Sequence, residues 1–122
     1  ILKKCAGRTV LTPHPGEFLR LFGGKLNDIV ALRKTRALEA AREQGVVLVL
    51  KGHHTVVASP DGKIYVNPTG NAGMATAGSG DILTGVIAAF IGQGISCFEA
   101  ACLGVYVHGL AGDRAAKKVG QV

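Results

Sequence analysis

The residues best suited to chemistry stand together in Gly78-Ser79-Gly80-Asp81, where a glycine-rich loop meets an apolar helical pattern. A helix that begins after glycines leaves backbone N–H groups unpaired at the positive end of its dipole, and such amides bind phosphate without a charged side chain. A carboxylate beside them can accept the proton of an attacking hydroxyl group during phosphoryl transfer. Asp81 is therefore a candidate general base. An aspartate in a first helical turn also stabilises the helix with no catalytic role, and the tetrapeptide alone leaves both interpretations open.

Several familiar kinds of site are absent from the sequence. No Gly-Lys-Ser/Thr follows the loop as in a P-loop, and the sequence GSGDIL lacks the third glycine of the dinucleotide-binding fingerprint. The histidines, cysteines and aspartates show no zinc spacing, and no Ser/His/Asp set is indicated. We therefore expect no metal ion held by protein side chains.

Two further segments carry candidate groups. The stretch KGHHT (51–55) follows a continuous apolar run, and the end of such a strand is where parallel sheets commonly bind ligands, so Lys51 is placed to meet phosphate charge. A Lys-Gly pair at a strand end is otherwise usually a turn. His14 ends a β-rich segment just before Pro15, where a histidine most often has only a structural role.

The elements that must position these groups follow from hydrophobic periodicity and turn residues. Asn27 is a plausible N-cap and Gly45 a plausible helix end, and Ser96 with Glu99 has the pattern of a capping box. The pattern predicts strands at 9–11 and 46–52, a β-hairpin over 54–68, and helices that begin at 15, run over 27–45 and 81–92, and close the chain over 96–119.

This order of elements predicts an α/β fold with parallel β/α units and one antiparallel excursion. Four strand candidates are few for such a fold. We therefore expect the 122 residues to form one unit that is a portion of a larger domain.

Composition excludes several classes of protein. No apolar run approaches the length of a membrane span, and no secretory signal pattern is present, so we expect a cytoplasmic protein without a membrane partner. The net charge of +6 favours anionic ligands, but the basic residues of 25–42 follow a helical pattern without interleaved aromatic residues, which argues against nucleic acid. Cys5, Cys97 and Cys102 form no CxxC pair and are expected to be buried reduced thiols.

Three motifs together resemble the C-terminal part of the ADP/ATP-dependent NAD(P)H-hydrate dehydratase family, within the ribokinase-like superfamily. They are HPGE (14–17), KGHHT (51–55) and GNAGMATAGSGD (70–81), and the resemblance extends over nearly the whole chain. It implies a ribokinase-like three-layer α/β/α fold with a mostly parallel central sheet and one antiparallel hairpin. Residues 1–122 are then a C-terminal portion of the dehydratase domain, in a protein expected to form a homo-oligomer.

The resemblance also implies a reaction and partners. Family members repair hydrated NADH or NADPH with ADP or ATP: the ring hydroxyl is phosphorylated and then eliminated as phosphate, which restores the double bond of the ring. Magnesium is expected to arrive on the nucleotide phosphates. An NAD(P)H-hydrate epimerase, fused or separate, is a further expected partner.

By the same resemblance, particular residues take roles. Asp81 contacts the hydroxyl and acts as the base, and His14 lines the pocket for the hydrated cofactor. Asn71 and Gly73 shape the substrate-side loop. The residues of the implied nucleotide site are Lys51, Gly52, His53, His54, Thr55 and Gly80, with the two histidines contributing backbone. The residues of the implied anion hole are Ala77, Gly78, Ser79 and Gly80.

Two other functions remain open from the sequence. A ribokinase-like kinase for a small molecule, such as a vitamin precursor, shares Asp81 and the anion site and stops at the phosphorylated product, although the Asn-x-x-Glu motif of many sugar kinases does not occur. A non-catalytic nucleotide-binding or assembly module is the third reading. His108 and Asp113 are interpreted as structural or surface residues.

Overall fold

A computed structural model describes residues 8–71 and 78–120, with the backbone alone for 119 and 120. Three residues singled out above, Cys5, Gly73 and Ala77, lie outside these ranges. The elements in chain order are β1 (Val10–Leu11), α1 (Pro15–Phe22), α2 (Leu26–Ala31), α3 (Arg33–Gln44), β2 (Val47–Leu50), β3 (Val56–Ala58), β4 (Ile64–Val66), α4 (Ser79–Gly92) and α5 (Cys97–Gly120).

The four described strands form one sheet in the order β1-β2-β3-β4. The β1–β2 pair is parallel, with Val10 opposite Val47, whereas β2–β3 and β3–β4 are antiparallel. The predicted hairpin is confirmed as β3 and β4. Because β3 pairs with β2 and β4 pairs with β3, the described sheet is mixed, with one parallel pair and the one antiparallel hairpin that the resemblance implies.

Helices cover both faces of the sheet, as the three-layer prediction requires. Side chains alternate along β2 because successive residues of a strand point to opposite faces. Leu48 and Leu50 pack in one apolar cluster with Phe18 of α1 and Ile29 of α2. On the opposite face, the valines of β2 pack with side chains of α4 and α5, among them Val47, Val49, Leu83, Ile87 and Val105. The long apolar run of β2 is therefore buried on both sides.

The helix predicted over 27–45 is two helices, which is a correction. Leu32, with φ −121° and ψ 42°, leaves the helical conformation between α2 and α3, and its side chain is exposed. The break places Arg33 where its Nη2 donates to the carbonyl oxygen of Leu50 at 3.0 Å. Asn27 is not an N-cap, because α2 begins one residue earlier, after Lys25. Gly45 does end α3, in the left-handed conformation predicted for a glycine C-cap.

The two C-terminal helices agree with the sequence except at their starts. Helix α4 begins at Ser79, two residues before the predicted start at Asp81. Helix α5 follows Ser96, whose Oγ accepts a hydrogen bond from the Glu99 N–H at 3.4 Å, one of the two bonds of the predicted capping box. Cys97 and Cys102 are free, half-buried thiols, and burial raises the pKa of Cys102 to about 11. Of the helices in the described part of the chain, none is long and apolar enough to cross a membrane.

Candidate active site

A cavity of about 450 Å³ opens where the C-terminal end of β2, the first turn of α4 and the middle of α5 meet. A further wall is formed by residues that follow the hairpin, namely Asn67, Thr69, Gly70 and Asn71. Eight residues predicted from the sequence to form the site line it: His14, Lys51, Gly52, His53, Thr55, Asn71, Ser79 and Gly80. The fold thus brings the HPGE, KGHHT and GSGD segments to one place.

The segment after β2 is held by a compact set of hydrogen bonds. The Lys51 N–H donates to the carbonyl oxygen of Pro13 at 3.0 Å, which keeps the chain after β1 beside the chain after β2. The Thr55 hydroxyl accepts from the Gly52 N–H at 3.2 Å and donates to the Gly52 carbonyl oxygen at 3.0 Å. Thr55 therefore closes the turn that carries His53 and His54. The turn exposes His54, which has a positive φ of 58° and does not line the cavity.

The Lys51 ammonium lies against the first turn of α4. A Cβ atom built on Gly80 would lie 2.7 Å from Lys51 Nζ, so only a glycine permits this approach. Within the described ranges, no carboxylate lies within 4.0 Å of Lys51 Nζ. A positive charge and the positive end of a helix dipole therefore meet in the cavity, where an anion is stabilised by both.

The start of α4 has the conformation expected of an anion site. Its N-cap, Gly78, has a φ of 90°, which residues with side chains rarely adopt, and it offers no side-chain acceptor to the first-turn N–H groups. Those amides are left without a capping side chain. Ser79 and Gly80 line the cavity and Gly78 does not. The predicted contribution of Ala77 lies outside the described residues and stays a prediction.

Asp81 is the third residue of α4 and directly follows Ser79 and Gly80, which line the cavity. Its side chain is exposed, and it is not among the residues that line the cavity. Among the described residues, none forms a hydrogen bond or an ion pair with its carboxylate. The structure thus places Asp81 at the edge of the candidate site, and its role as base stays a prediction.

His14 both lines the cavity and caps α1. The Glu17 N–H donates to His14 Nδ1 at 3.1 Å, and the His14 N–H donates to Glu17 Oε1 at the same distance, which makes a full capping box. The bond from the His14 N–H is the main cause of a lowered pKa for Glu17, with smaller contributions from the His14, Lys51 and Arg20 charges. Glu17 therefore orders the turn that presents His14.

Two residues of α5 contact residues that line the cavity, although the sequence predicts only structural or surface roles for them. His108 lines the cavity, with its Nε2 3.3 Å from the Ser79 hydroxyl, and burial, followed by the Lys51 charge, lowers the pKa of His108. Asp113 accepts from the Gly70 N–H at 2.9 Å and from Asn71 Nδ2 at 3.0 Å. These hydrogen bonds lower the pKa of Asp113. The positions of His108 and Asp113 in the sequence do not indicate these contacts, because the contacts depend on which face of α5 meets the 67–71 segment.

Asn67 is a further residue that the sequence did not indicate. It is 3% exposed, and its Nδ2 donates to the Val105 carbonyl oxygen at 3.0 Å, while its Oδ1 accepts from the Tyr65 hydroxyl at 2.9 Å. A buried amide with these partners fixes the start of the 67–71 wall against α5. Within the described ranges, no group of three or more His, Cys, Asp or Glu side chains is arranged to hold a metal ion.

Comparison with protein families gives one match over almost the whole chain. Residues 2–122 match the family model described as NAD(P)H-hydrate dehydratase. The bifunctional NAD(P)H-hydrate repair enzyme of Moorella thermoacetica is 57% identical over 115 residues, which are 94% of this chain and 22% of that protein. The ADP-dependent (S)-NAD(P)H-hydrate dehydratase of Neisseria meningitidis serogroup B is 51% identical over 104 residues, 85% of this chain and 35% of that protein.

Solved structures agree with this match. The ADP/ATP-dependent NAD(P)H-hydrate dehydratase of Bacillus subtilis, co-crystallized with ATP/Mg²⁺, superposes with a TM-score of 0.74 at 43% identity. The superposition covers 82% of this chain and 36% of that one. A ribokinase-like superfamily protein of Enterococcus faecalis superposes with a TM-score of 0.78 at 35% identity, over 91% of this chain and 38% of that one. The chain spans less than half of each of these four proteins.

Proposed function

The chain belongs to the NAD(P)H-hydrate dehydratase family, and from that premise we propose that it carries the phosphoryl-transfer site of an enzyme that dehydrates hydrated NADH or NADPH. The observation that carries the proposal is the close approach of Lys51 to Gly80, which joins an ammonium group to the N-terminal amides of α4 inside one cavity. We take ADP or ATP as the phosphoryl donor, because the Neisseria meningitidis relative is named ADP-dependent and the Bacillus subtilis structure was co-crystallized with ATP/Mg²⁺.

In the proposed reaction, the hydroxyl oxygen on the nicotinamide ring attacks the terminal phosphorus of the nucleotide and displaces the remaining nucleotide. The bond between ring carbon and oxygen then breaks, and its electron pair leaves with the phosphate. Loss of a proton from the neighbouring ring carbon restores the double bond. Hydroxide departs poorly from the ring, and phosphorylation replaces it by a leaving group of much lower basicity.

Different residues of this chain would bind phosphate, accept the proton and contact the hydrated cofactor. The amides of Ser79 and Gly80, with Lys51, would hold the phosphoryl group and offset the charge that develops on it. Asp81, at the edge of the cavity, would accept the hydroxyl proton once substrate brings the hydroxyl within reach. His14, presented by its capping box, would contact the hydrated cofactor.

Magnesium fits this arrangement as part of the bound nucleotide. The cavity end at Lys51 and the α4 amides offers donors to phosphate oxygens rather than carboxylate ligands to a cation. When bound with the nucleotide at this end of the cavity, beside Lys51 and the α4 amides, Mg²⁺ would help to offset the negative charge of the transferring phosphate.

The wider setting is also proposed. We propose that residues 1–122 correspond to a C-terminal portion of the family's domain, since the chain spans 36% of the Bacillus subtilis enzyme. An epimerase partner is supported by relatives described as bifunctional. Cytoplasmic location and homo-oligomer formation stay predictions from the sequence.

The test is a direct assay on the natural protein that contains these 122 residues. Hydrated NADH is mixed with ADP or ATP and Mg²⁺, and return of reduced-nicotinamide absorbance is followed, with nucleotide omitted as the control. We expect absorbance to return only with nucleotide. A stable phosphorylated product without that return indicates instead the ribokinase-like small-molecule kinase, which the Enterococcus faecalis superposition also accommodates. Binding of ADP with no turnover indicates the non-catalytic module.

A further inference from the structure

One face of α5 lies along the whole 67–71 segment of the cavity wall. Val105, Gly109 and Asp113 are spaced four residues apart and therefore lie on one helix face. Their contacts occur in chain order along the wall: Asn67 binds the Val105 carbonyl oxygen, Thr69 packs on Gly109, and Asp113 binds Gly70 and Asn71.

The 67–71 segment and the stripe of α5 from 105 to 113 have similar lengths. Eight residues of α-helix rise by about 12 Å. Four steps of chain, from residue 67 to residue 71, span at most about 13 to 14 Å. The 67–71 segment is therefore long enough to contact the stripe from Val105 to Asp113.

Gly109 brings the wall close. A Cβ atom built on Gly109 would lie 2.8 Å from the Thr69 carbonyl carbon and would also meet the Thr69 hydroxyl. The Thr69 hydroxyl in turn donates to the Tyr106 carbonyl oxygen at 3.0 Å. The contact at Gly109 is with backbone, which a change of rotamer cannot relieve.

Asp113 binds the far end of the 67–71 segment, and its carboxylate fixes the orientation of the Asn71 amide as well as the position of the backbone. A carboxylate only accepts hydrogen bonds, so the end of the Asn71 side chain that faces Asp113 must be its NH₂ group. The second carboxylate oxygen accepts from the N–H of Gly70, whose φ of 102° is a conformation that residues with side chains rarely adopt. Asp113 thereby holds both the backbone and the amide orientation at a point where Asn71 lines the cavity.

On the strength of the proposed function, we infer that Asp113 is a positioning residue: it fixes the Gly70–Asn71 wall and the orientation of the Asn71 amide for the hydrated nicotinamide. Asp113 is not itself among the residues that line the cavity, so it acts through Asn71. In the described residues, Asp113 forms no hydrogen bond or ion pair with Lys51 or with the α4 amides, which would hold the nucleotide phosphates.

The experiment uses Asp113→Asn and Asp113→Ala in the natural protein that contains this chain. Asp113→Asn keeps the shape of the side chain but replaces one acceptor by a donor, and Asp113→Ala removes both acceptors. We expect the KM for hydrated NADH to rise about tenfold or more in both variants, the loss typical of a hydrogen bond to a charged group, with the KM for ADP unchanged within about twofold. Arg114→Ala, an exposed change one residue further along α5, is the matched control and leaves both KM values unchanged.

A loss of stability alone must be separated from a change in the cavity. Ile87→Val removes a buried methyl group between α4 and α5 away from the cavity wall, so it lowers the melting temperature without raising the KM for hydrated NADH. If Asp113→Asn lowers the melting temperature in the same way and leaves the KM for hydrated NADH unchanged, the positioning role is overturned.

Amide hydrogen exchange makes the inference independent of the assay. The Gly70 amide is protected in the wild type by its bond to Asp113, and Asp113→Ala exposes it, so its exchange becomes at least about tenfold faster. Unchanged exchange overturns the inference even if the enzyme turns over hydrated NADH. If no hydrated NADH is converted, the proposed function fails, and accelerated Gly70 exchange still supports Asp113 as the residue that holds the wall.

Discussion

Gly80→Ala tests the anion site with the smallest possible change. The new Cβ atom would lie 2.7 Å from Lys51 Nζ, and an ordinary contact needs about 3.5 to 4.0 Å, so the ammonium must retreat by about 1 Å. The end of a lysine side chain moves easily, and Gly80 has a helical backbone without a positive φ. Alanine also favours helix over glycine by up to about 1 kcal/mol. The fold should therefore be as stable as wild type or slightly more stable.

The displaced ammonium group should bind the nucleotide phosphate less tightly. At an effective dielectric constant of about 20, two unit charges attract by about 4.2 kcal/mol at 4 Å and about 3.3 kcal/mol at 5 Å. A retreat of Lys51 by 1 Å thus loses about 0.8 kcal/mol for each unit of phosphate charge. For a terminal phosphate that carries about two charges, the loss of about 1.6 kcal/mol weakens ADP binding about 15-fold.

Titration calorimetry with ADP and Mg²⁺ measures this loss, and α4 provides its own control. Gly85→Ala makes the same substitution on the same helix, where a new Cβ has nothing within 4 Å, so ADP should bind as in wild type. In a Lys51→Met background, Gly80→Ala should have little further effect, because the group it displaces is gone. The reasoning is refuted if Gly80→Ala binds ADP like Gly85→Ala, or if its effect is as large without the Lys51 ammonium as with it.

Three further predictions follow from the same site. Asp81→Asn removes the proposed base with little change in size, so turnover of hydrated NADH should fall roughly 10²- to 10⁴-fold in steady-state assays while calorimetry still detects ADP binding; near-normal turnover contradicts the role. Gly109→Ala forces its Cβ against the Thr69 backbone, and denaturant titration should show a loss of about 1 to 3 kcal/mol in the free energy of unfolding, whereas an unchanged midpoint would mean that the wall moves freely. Burial, and then the Lys51 charge, lowers the pKa of His108 from its ordinary 6.5, so the folded state binds this proton less readily than the unfolded chain; stability should fall as the pH drops below 6.5, and His108→Gln should show less of that fall.

Much of the fold was predictable because its signals are local. The apolar run that becomes β2, the turn between β3 and β4 and the glycine at 45 each act through neighbours in sequence, and each prediction is confirmed. The break at Leu32 was not predictable, because helical periodicity continues through it. That break is linked to Arg33, whose partner is the carbonyl oxygen of Leu50, and no local pattern indicates a contact between residues so far apart in sequence.

The candidate site divides in the same way. Lys51 and Gly80 were indicated by their motifs, and the fold brings them together. His108 and Asp113 were missed because their contacts depend on the face that α5 turns toward the cavity wall. An aspartate late in a helix is usually solvated. Asp113 instead accepts from one backbone N–H and one side-chain amide, because the register of α5 places it beside the 67–71 segment.

The most direct test of the central claim follows the oxygen atom of the ring hydroxyl. Hydrated NADH labelled with a heavy oxygen isotope at that hydroxyl is converted by the natural protein in the presence of ADP and Mg²⁺, and the released phosphate is analysed by mass spectrometry. Phosphorylation followed by elimination transfers the labelled oxygen to inorganic phosphate, and this is the result we predict. Label found in water, with unlabelled phosphate, would show that the hydroxyl leaves without being phosphorylated and would contradict the account.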